Sequence, residues 1–119
     1  MSKEEKELLI KDLCGRLSYG VLVRTSVSTK PLTCEILSNI IDGKNNFIIL
    51  PYLRPMSSMT EEEYKEWRYL YLPLPHDNEA TETQRRIDWL NSHHFDYRGL
   101  IPMGLALEAL EGMYNTKIK

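Results

Sequence analysis

Leucines recur at every fourth position from Leu9 to Leu17, and lysines and glutamates occupy positions 3–7 and position 11. This spacing places the leucines on one stripe of a helix and the charges on the other side. Ser2 and Glu5 have the spacing of a capping box, in which each side chain bonds the other residue's backbone amide. The pattern therefore predicts an amphipathic helix from about residue 3 to residue 13 or 16.

Three segments in the first half of the chain have the pattern of β-strands. Residues 19–25 are rich in β-branched and aromatic side chains, residues 32–37 alternate between two faces, and residues 47–50 are a short apolar run. Polar turn-forming sequence separates them at 26–31 and 42–46. The short connections favour an antiparallel meander, because parallel pairing needs long crossovers.

A second helix is predicted after this sheet. Thr60 and Glu63 form a capping box, and three glutamates occupy the first turn, where the helix dipole favours negative charge. The Leu-Pro-Leu-Pro sequence at 72–75 cannot continue a helix. We therefore expect a helix from Glu61 to about Tyr69.

A third helix is predicted to run to about His93. Thr81 with Gln84 is one plausible capping box, and Asp77 is an alternative start one turn earlier. Asp96 marks the exit from this helix. Residues 104–110 fit either one more short helix or an extended segment packed on the core.

Together these segments predict a single α+β domain over residues 1–119. Its small antiparallel sheet of about three strands packs against an N-terminal helix and two or three C-terminal helices, because the helices are the available cover for the apolar face of the sheet.

The composition is that of an ordinary globular domain, and it argues against some classes of function. The chain has 42% hydrophobic and 27% charged residues, and its formal charge is -2. That balance argues against a protein whose main role is to coat nucleic acid, since phosphate binding needs a concentrated positive field. No apolar run approaches the roughly 20 residues that span a bilayer, and the charged N-terminus lacks the apolar core of a signal peptide. We expect a cytoplasmic protein with no membrane association.

The two cysteines, Cys14 and Cys34, lie twenty residues apart with no C-x-x-C pattern. In a reducing compartment such residues are usually small buried hydrophobes, and this is our expectation. A disulfide between the two remains the alternative.

Four blocks of the chain carry a resemblance: residues 12–17 with 19–21, residues 51–60, residues 87–91 with 93–101, and residues 104–109. The amino-acid sequence of these blocks resembles that of a group of small uncharacterised proteins from prophages and mobile elements of gut anaerobic bacteria. The resemblance implies a bacterial or phage cytosolic accessory protein. It carries over no activity and no catalytic residue.

The densest group of candidate chemical residues is the polar cluster His93, His94 and Asp96. Adjacent histidines point about 100° apart on a helix, so they do not easily share one metal ion. We favour a structural role, with one histidine packed against the core and the other at the helix end. A metal site, or an enzyme that combines Cys14 with a histidine and Asp96, remains an alternative. No P-loop and no G-x-G-x-x-G motif occurs, so we predict no nucleotide site and no cofactor.

A second candidate surface interleaves arginines with aromatic rings. Arg85, Arg86 and Arg98 with Trp89 and Tyr97 can form a stacking surface for single-stranded nucleic acid. The alternative is that the first two arginines form a solvated helix face and the third pairs with an acid. The net charge favours this alternative.

The third candidate is a protein-binding surface that uses Tyr52, Arg54, Tyr69 and Tyr71. Tyrosine and arginine are enriched at the centres of protein interfaces. Arg54 can hold Asp96 or Glu63 within the chain, or reach a partner's carboxylate. Trp67 and Trp89 are expected in the core. With no catalytic motif recognised, we favour a non-enzymatic, protein-binding accessory module, with a nucleic-acid-binding protein and a small metal- or cysteine-dependent enzyme as alternatives.

Overall fold

A computed structural model of the chain describes residues 2–25, 28–42, 49–70 and 79–114. Over these residues the α+β prediction is confirmed, although the sheet has four strands rather than about three. The helices are α1 (Lys3–Arg16), α2 (Cys34–Asp42), α3 (Glu61–Tyr69), α4 (Glu79–Ser92) and the one-turn α5 (Leu100–Met103). The strands are β1 (Leu22–Arg24), β2 (Thr29–Pro31), β3 (Leu50–Leu53) and β4 (Leu107–Glu108).

The sheet has the order β2-β1-β3-β4 and is mixed rather than purely antiparallel. β1 runs antiparallel to both neighbours, with Val23 opposite Lys30 on β2 and Pro51 on β3. β4 pairs in parallel with the second half of β3, where Tyr52 lies opposite Leu107. A parallel pair needs a long crossover, and the chain between β3 and β4 supplies one whose described residues include α3, α4 and α5.

Two of the observed strands differ in position from the predicted ones. The segment 26–31, expected to be a turn, contributes β2 at the edge of the sheet, where Pro31 removes no central ladder bond. The strand expected at 47–50 lies at Leu50–Leu53 instead. The predicted turn 42–46 lies mostly outside the described residues, as do Phe47 and Ile48.

The prediction of a strand at residues 32–37 is wrong, because α2 begins at Cys34. The Thr33 hydroxyl accepts a hydrogen bond from the amide of Ile36, which satisfies one free amide in the first turn of the helix. Leu37 is buried, and Ile36 and Ile40 pack against the core beside it. These spacings of one, three and four residues follow the period of a helix, which here outweighed the local alternation.

The two clearest capping boxes are confirmed. Ser2 and Glu5 exchange bonds at the start of α1, and Thr60 and Glu63 do so at the start of α3. The bounds of α3 are those that the sequence predicted. Thr81 does not cap α4, because α4 begins at Glu79 and Thr81 lies inside it. The alternative start at Asp77 lies outside the described residues.

The core lies where α1, the sheet and the C-terminal segment meet. Leu9 and Leu13 from α1 pack with apolar residues of the sheet and with Leu100 and Leu105. Residues 104–110 adopt the extended alternative, of which β4 is the paired part. Trp67 and Trp89 are half-buried rather than enclosed.

The cysteines depart from expectation. Cys14 and Cys34 are both exposed, and both are free thiols. Cys14 follows the fully buried Leu13, so the helical turn directs it away from the core. The expectation that these residues are buried hydrophobes is therefore wrong.

None of the helices in the described ranges combines the length and apolar content needed to cross a bilayer.

Candidate functional site

Five of the residues singled out by the sequence lie in one stretch of chain, residues 93–98, which we call the central segment: His93, His94, Asp96, Tyr97 and Arg98. It links α4 to α5 and forms a β-bridge to the end of β3 between Arg54 and Phe95. The amide of Arg54 donates to the carbonyl of His94 over 2.7 Å, and the amide of Asp96 donates to the carbonyl of Arg54 over 2.8 Å. The backbone therefore anchors this polar stretch to the sheet.

Arg54 forms a buried ion pair with Glu63 on α3. Its two terminal nitrogens donate to the two carboxylate oxygens over 2.8 and 2.7 Å, and the residues are 7% and 4% exposed. The guanidinium also lies 4.2 Å from the centroid of the Phe95 ring and donates to the carbonyls of Ser58 and His93. Of the alternatives given for Arg54, which were Asp96, Glu63 or a partner's carboxylate, the structure shows the pairing with Glu63.

The charge of Glu63 is strongly stabilised in this setting. Burial alone raises the pKa of a carboxylate, but the hydrogen bonds from Arg54 and Thr60 and the charges of Arg54 and His93 outweigh it. Together they lower the pKa of Glu63 to about 2. Glu63 thus serves as the capping residue of α3 and as the permanent counter-ion of Arg54. A carboxylate held in this way is a poor general acid at neutral pH.

A second buried ion cluster holds α1 against the central segment. Asp12, which is fully buried, accepts from Arg16 over 2.7 Å and from Arg98 over 3.0 Å. Arg16, also fully buried, donates to the carbonyl of Phe95 over 2.7 Å. The expected pairing of Arg98 with an acid is confirmed, and its partner is Asp12.

The two histidines diverge. The Nδ1 atom of His93 lies 3.3 Å from a carboxylate oxygen of Glu63, and its ring stacks on Trp89 with centroids 4.1 Å apart. His94 has a left-handed backbone with φ of 64° and stacks on Tyr114 at 3.8 Å. Burial, followed by the charge of Arg16, lowers the pKa of His94 to about 4, so its ring is neutral at physiological pH.

Asp96 does not complete a site with these histidines. Its two carboxylate oxygens accept from the amides of Leu100 and Ile101 over 2.8 and 2.9 Å, at the start of α5. Among the residues that the structure describes, no three histidine, cysteine or carboxylate side chains are grouped so as to hold a metal ion. The cysteine-dependent alternative also gains nothing from Asp96, because both of its oxygens are engaged.

The arginines proposed for nucleic-acid binding bond to other parts of the chain. Arg86 donates to the carbonyl of Leu70 over 3.1 Å, and the Trp89 indole donates to Glu66 over 3.3 Å. His93 also contacts Glu63. Residues later in this part of the chain thus contact earlier residues of α3, so α4 packs antiparallel to α3. Arg98 contacts α1 instead, so these side chains serve two different interfaces.

Arg85 lies elsewhere, beside an open hollow of about 470 Å³. The described lining of this hollow comes from α4 alone, and a single helix face cannot enclose a ligand. A second hollow, of about 230 Å³, lies between Arg54 and Tyr114. Three of its polar lining residues, Arg54, Thr60 and Tyr114, already bond within the chain. The other polar residues of the lining are Ser58, Glu108 and Glu111.

The proposed protein-binding residues divide by burial. Tyr52 is 9% exposed and its carbonyl accepts a bond from the Tyr114 hydroxyl, and Arg54 is buried as described above. The side chains of Tyr52 and Arg54 are therefore enclosed within the fold rather than part of an exposed protein-binding surface. Tyr69 is 69% exposed, as expected for a surface residue. Tyr71 lies outside the described residues.

Of the proposed protein-binding residues that the structure describes, only Tyr69 is exposed, and it lies on the solvent-facing side of α3. This side carries a second exposed ring, Tyr64, which is 50% exposed and lies under the guanidinium of Arg68 at 5.7 Å. We name this surface the α3 outer face and define it by six exposed residues: Glu61, Glu62, Tyr64, Lys65, Arg68 and Tyr69.

Sequence reasoning missed Tyr64 as a surface residue and missed Asp12, Arg16 and Tyr114 as structural ones. The spacing of Asp12 and Arg16, four residues apart on a predicted helix, was a readable signal for an ion pair. Tyr114 had no such signal, because its hydroxyl bonds to the amide of Leu22 and the carbonyl of Tyr52, both far away in sequence.

Comparison with known proteins adds no relative: no family model, no curated protein and no solved structure matches the chain.

Proposed function

We propose that the protein is a non-enzymatic accessory module that binds another protein through the α3 outer face. The observation that carries this proposal is the exposure of two aromatic rings, Tyr64 and Tyr69, on one short helix. Rigid aromatic side chains and arginines supply most of the binding energy at protein interfaces.

The use of the charged residues supports the same reading. Arg16, Arg54, Glu63 and Asp96 are buried and bonded to other parts of the fold, so their charges hold the chain together. An active site instead needs acids and bases that face a substrate. Because Arg86 and Arg98 are likewise engaged, the nucleic-acid alternative receives no specific support.

We place this activity in the bacterial or phage cytoplasm, as the resemblance of the four sequence blocks to prophage and mobile-element proteins implies.

The test is affinity capture from a lysate of the native host, with wild type and the double variant Tyr64→Ser, Tyr69→Ser as baits. We expect the wild type to retain a protein that the variant loses. The matched control is Ile41→Ser, Leu110→Ser, which removes two exposed apolar side chains, 51% and 63% exposed, that do not belong to α3. If all three baits recover the same proteins, the α3 outer face is not the interface.

A further inference from the structure

We propose that the α3 outer face binds the same face of a second copy of this chain, so that two α3 helices pair in antiparallel fashion. This inference rests on the protein-binding function proposed above and names the partner.

The exposed charges along α3 change from acidic to basic. Glu61 and Glu62 lie in its first turn, and Lys65 and Arg68 lie in its later turns, all four exposed. A helix face that is acidic at one end and basic at the other attracts an identical face when the two run in opposite directions. A two-fold axis produces this arrangement, since it brings the same patch of both subunits together.

The spacing of the residues on this face supports the same pairing. Glu61, Tyr64, Lys65 and Arg68 stand at positions i, i+3, i+4 and i+7, the stripe that one helix presents to another. Glu63, which belongs to the opposite side of the helix, is buried against Arg54. The stripe therefore points away from the body of the fold.

The register follows from placing the two-fold axis beside Tyr64. Glu61, three residues before the axis, then faces Arg68 of the other copy, four residues after it. Glu62, two residues before the axis, lies near Lys65 of the other copy, one residue after it, and the two Tyr64 rings meet at the centre. Each ring would carry its own Arg68 guanidinium on one face and contact the other copy with its remaining surface.

The small size of α3 sets the expected strength. A nine-residue helix presents only a few side chains, so the contact belongs to the weak class of interfaces, below about 1,200 Å² in total. We expect a monomer in dilute solution and a dimer as the concentration approaches roughly 1 mM. Because the pairs are exposed, added salt should shift the equilibrium towards the monomer.

The test is sedimentation equilibrium at low salt over a concentration series. Glu61→Lys, Glu62→Lys makes the face wholly basic, and Lys65→Glu, Arg68→Glu makes it wholly acidic. We expect the wild type to dimerise, each variant alone to bind itself at least about tenfold more weakly, and an equimolar mixture of the two variants to form the heterodimer. The recovery in the mixture shows that both variants are folded.

Matched controls carry the same charge changes on exposed positions of α1: Glu4→Lys, Glu7→Lys and Lys3→Glu, Lys11→Glu. They should dimerise like the wild type, which separates a local effect on α3 from an effect of net charge.

A wild type that stays monomeric throughout the series overturns the second copy as partner, as does a pair of variants that dimerise like the wild type. The two proposals fail separately. A monomeric wild type that still captures a host protein, in a manner lost in Tyr64→Ser, Tyr69→Ser, retains protein binding and excludes self-association. A monomer for which capture does not depend on these tyrosines overturns both.

Discussion

Glu62 and Glu63 are neighbours on α3, yet the first is exposed whereas the second is 4% exposed and bonded to Arg54 through both oxygens. Arg54 and Arg68 differ in the same way, although each guanidinium lies near an aromatic ring. The inner and outer sides of α3 thus use the same residue types for different purposes. Burial and the number of hydrogen bonds, rather than residue identity, separate charges that hold the fold together from charges available to a partner.

The largest effect on stability is expected for Arg54→Ala. It leaves the buried carboxylate of Glu63 without its counter-ion, and loss of one member of a buried pair costs about 3–5 kcal/mol. We expect the free energy of unfolding in urea to fall by that amount. Arg68→Ala, on the outer side, should change it by less than about 0.5 kcal/mol. Equal effects of the two variants would contradict the division between the two sides.

A second, smaller effect is expected at the ion cluster of α1. Asp12→Asn removes the charge that faces both Arg16 and Arg98 but keeps one oxygen as an acceptor. We expect a loss of about 2–3 kcal/mol in the free energy of unfolding, less than for Arg54→Ala because a hydrogen bond can persist. Glu7→Gln, at an exposed position of α1, is the control and should be close to neutral. A neutral Asp12→Asn would show that the cluster does not stabilise the fold.

The third prediction concerns pH. The pKa of His94 is about 4 in the folded chain against an ordinary value of 6.5, so the unfolded chain takes up the proton first as the pH falls. Stability should therefore decline as the pH falls from 6.5 towards 4, by roughly 1 kcal/mol between pH 7 and pH 5 once the partial exposure of the ring is discounted.

Urea unfolding of the wild type and of His94→Asn at the two pH values measures this contribution. Asparagine tolerates the left-handed backbone at this position, so the variant should fold and lose most of the pH dependence between 7 and 5. Tyr114→Phe keeps the ring against His94 and should keep the pH dependence, at a lower overall stability. The corresponding decline from Glu63, whose pKa is lowered to about 2, falls below pH 4.5 and so lies outside this interval.

The smallest effect is expected on the outer side. Tyr69→Ser removes a ring that is 69% exposed and should change the free energy of unfolding by less than about 0.5 kcal/mol. Thermal unfolding of this variant beside the wild type measures the difference. A loss above 1 kcal/mol would mean that Tyr69 supports the fold, and its proposed role in binding would weaken accordingly.

Local signals predicted the local structure well. The capping box of Thr60 and Glu63 fixed the start of α3, because both partners lie within four residues of each other. For Arg54 the sequence left Asp96 and Glu63 as alternative partners within the chain, and Glu63 is the one observed. In contrast, residues 32–37 taken alone alternate like a strand. The apolar residues that continue to Ile41 follow the period of a helix, and this longer pattern agrees with α2.

The rest depends on distant contacts. Nothing near Asp12 in the sequence shows that it is enclosed, since the segment that covers it contributes Arg98, 86 residues later. The parallel pairing of β4 with β3 has the same origin. The residues around position 90 stand out as one group in the sequence, but their contacts are made with α3 and with α1, which are distant in the chain.

The bond from Arg16 to the carbonyl of Phe95 spans 79 residues. Translation produces α1 long before residues 93–98, so during synthesis Arg16 and Asp12 can pair with each other but not with Phe95 or Arg98. Contacts of such long range slow folding, because the intervening chain must close a large loop before they form. We therefore expect the N-terminal part to remain only loosely organised during translation and to acquire its final packing late, once residues 93–98 are in place.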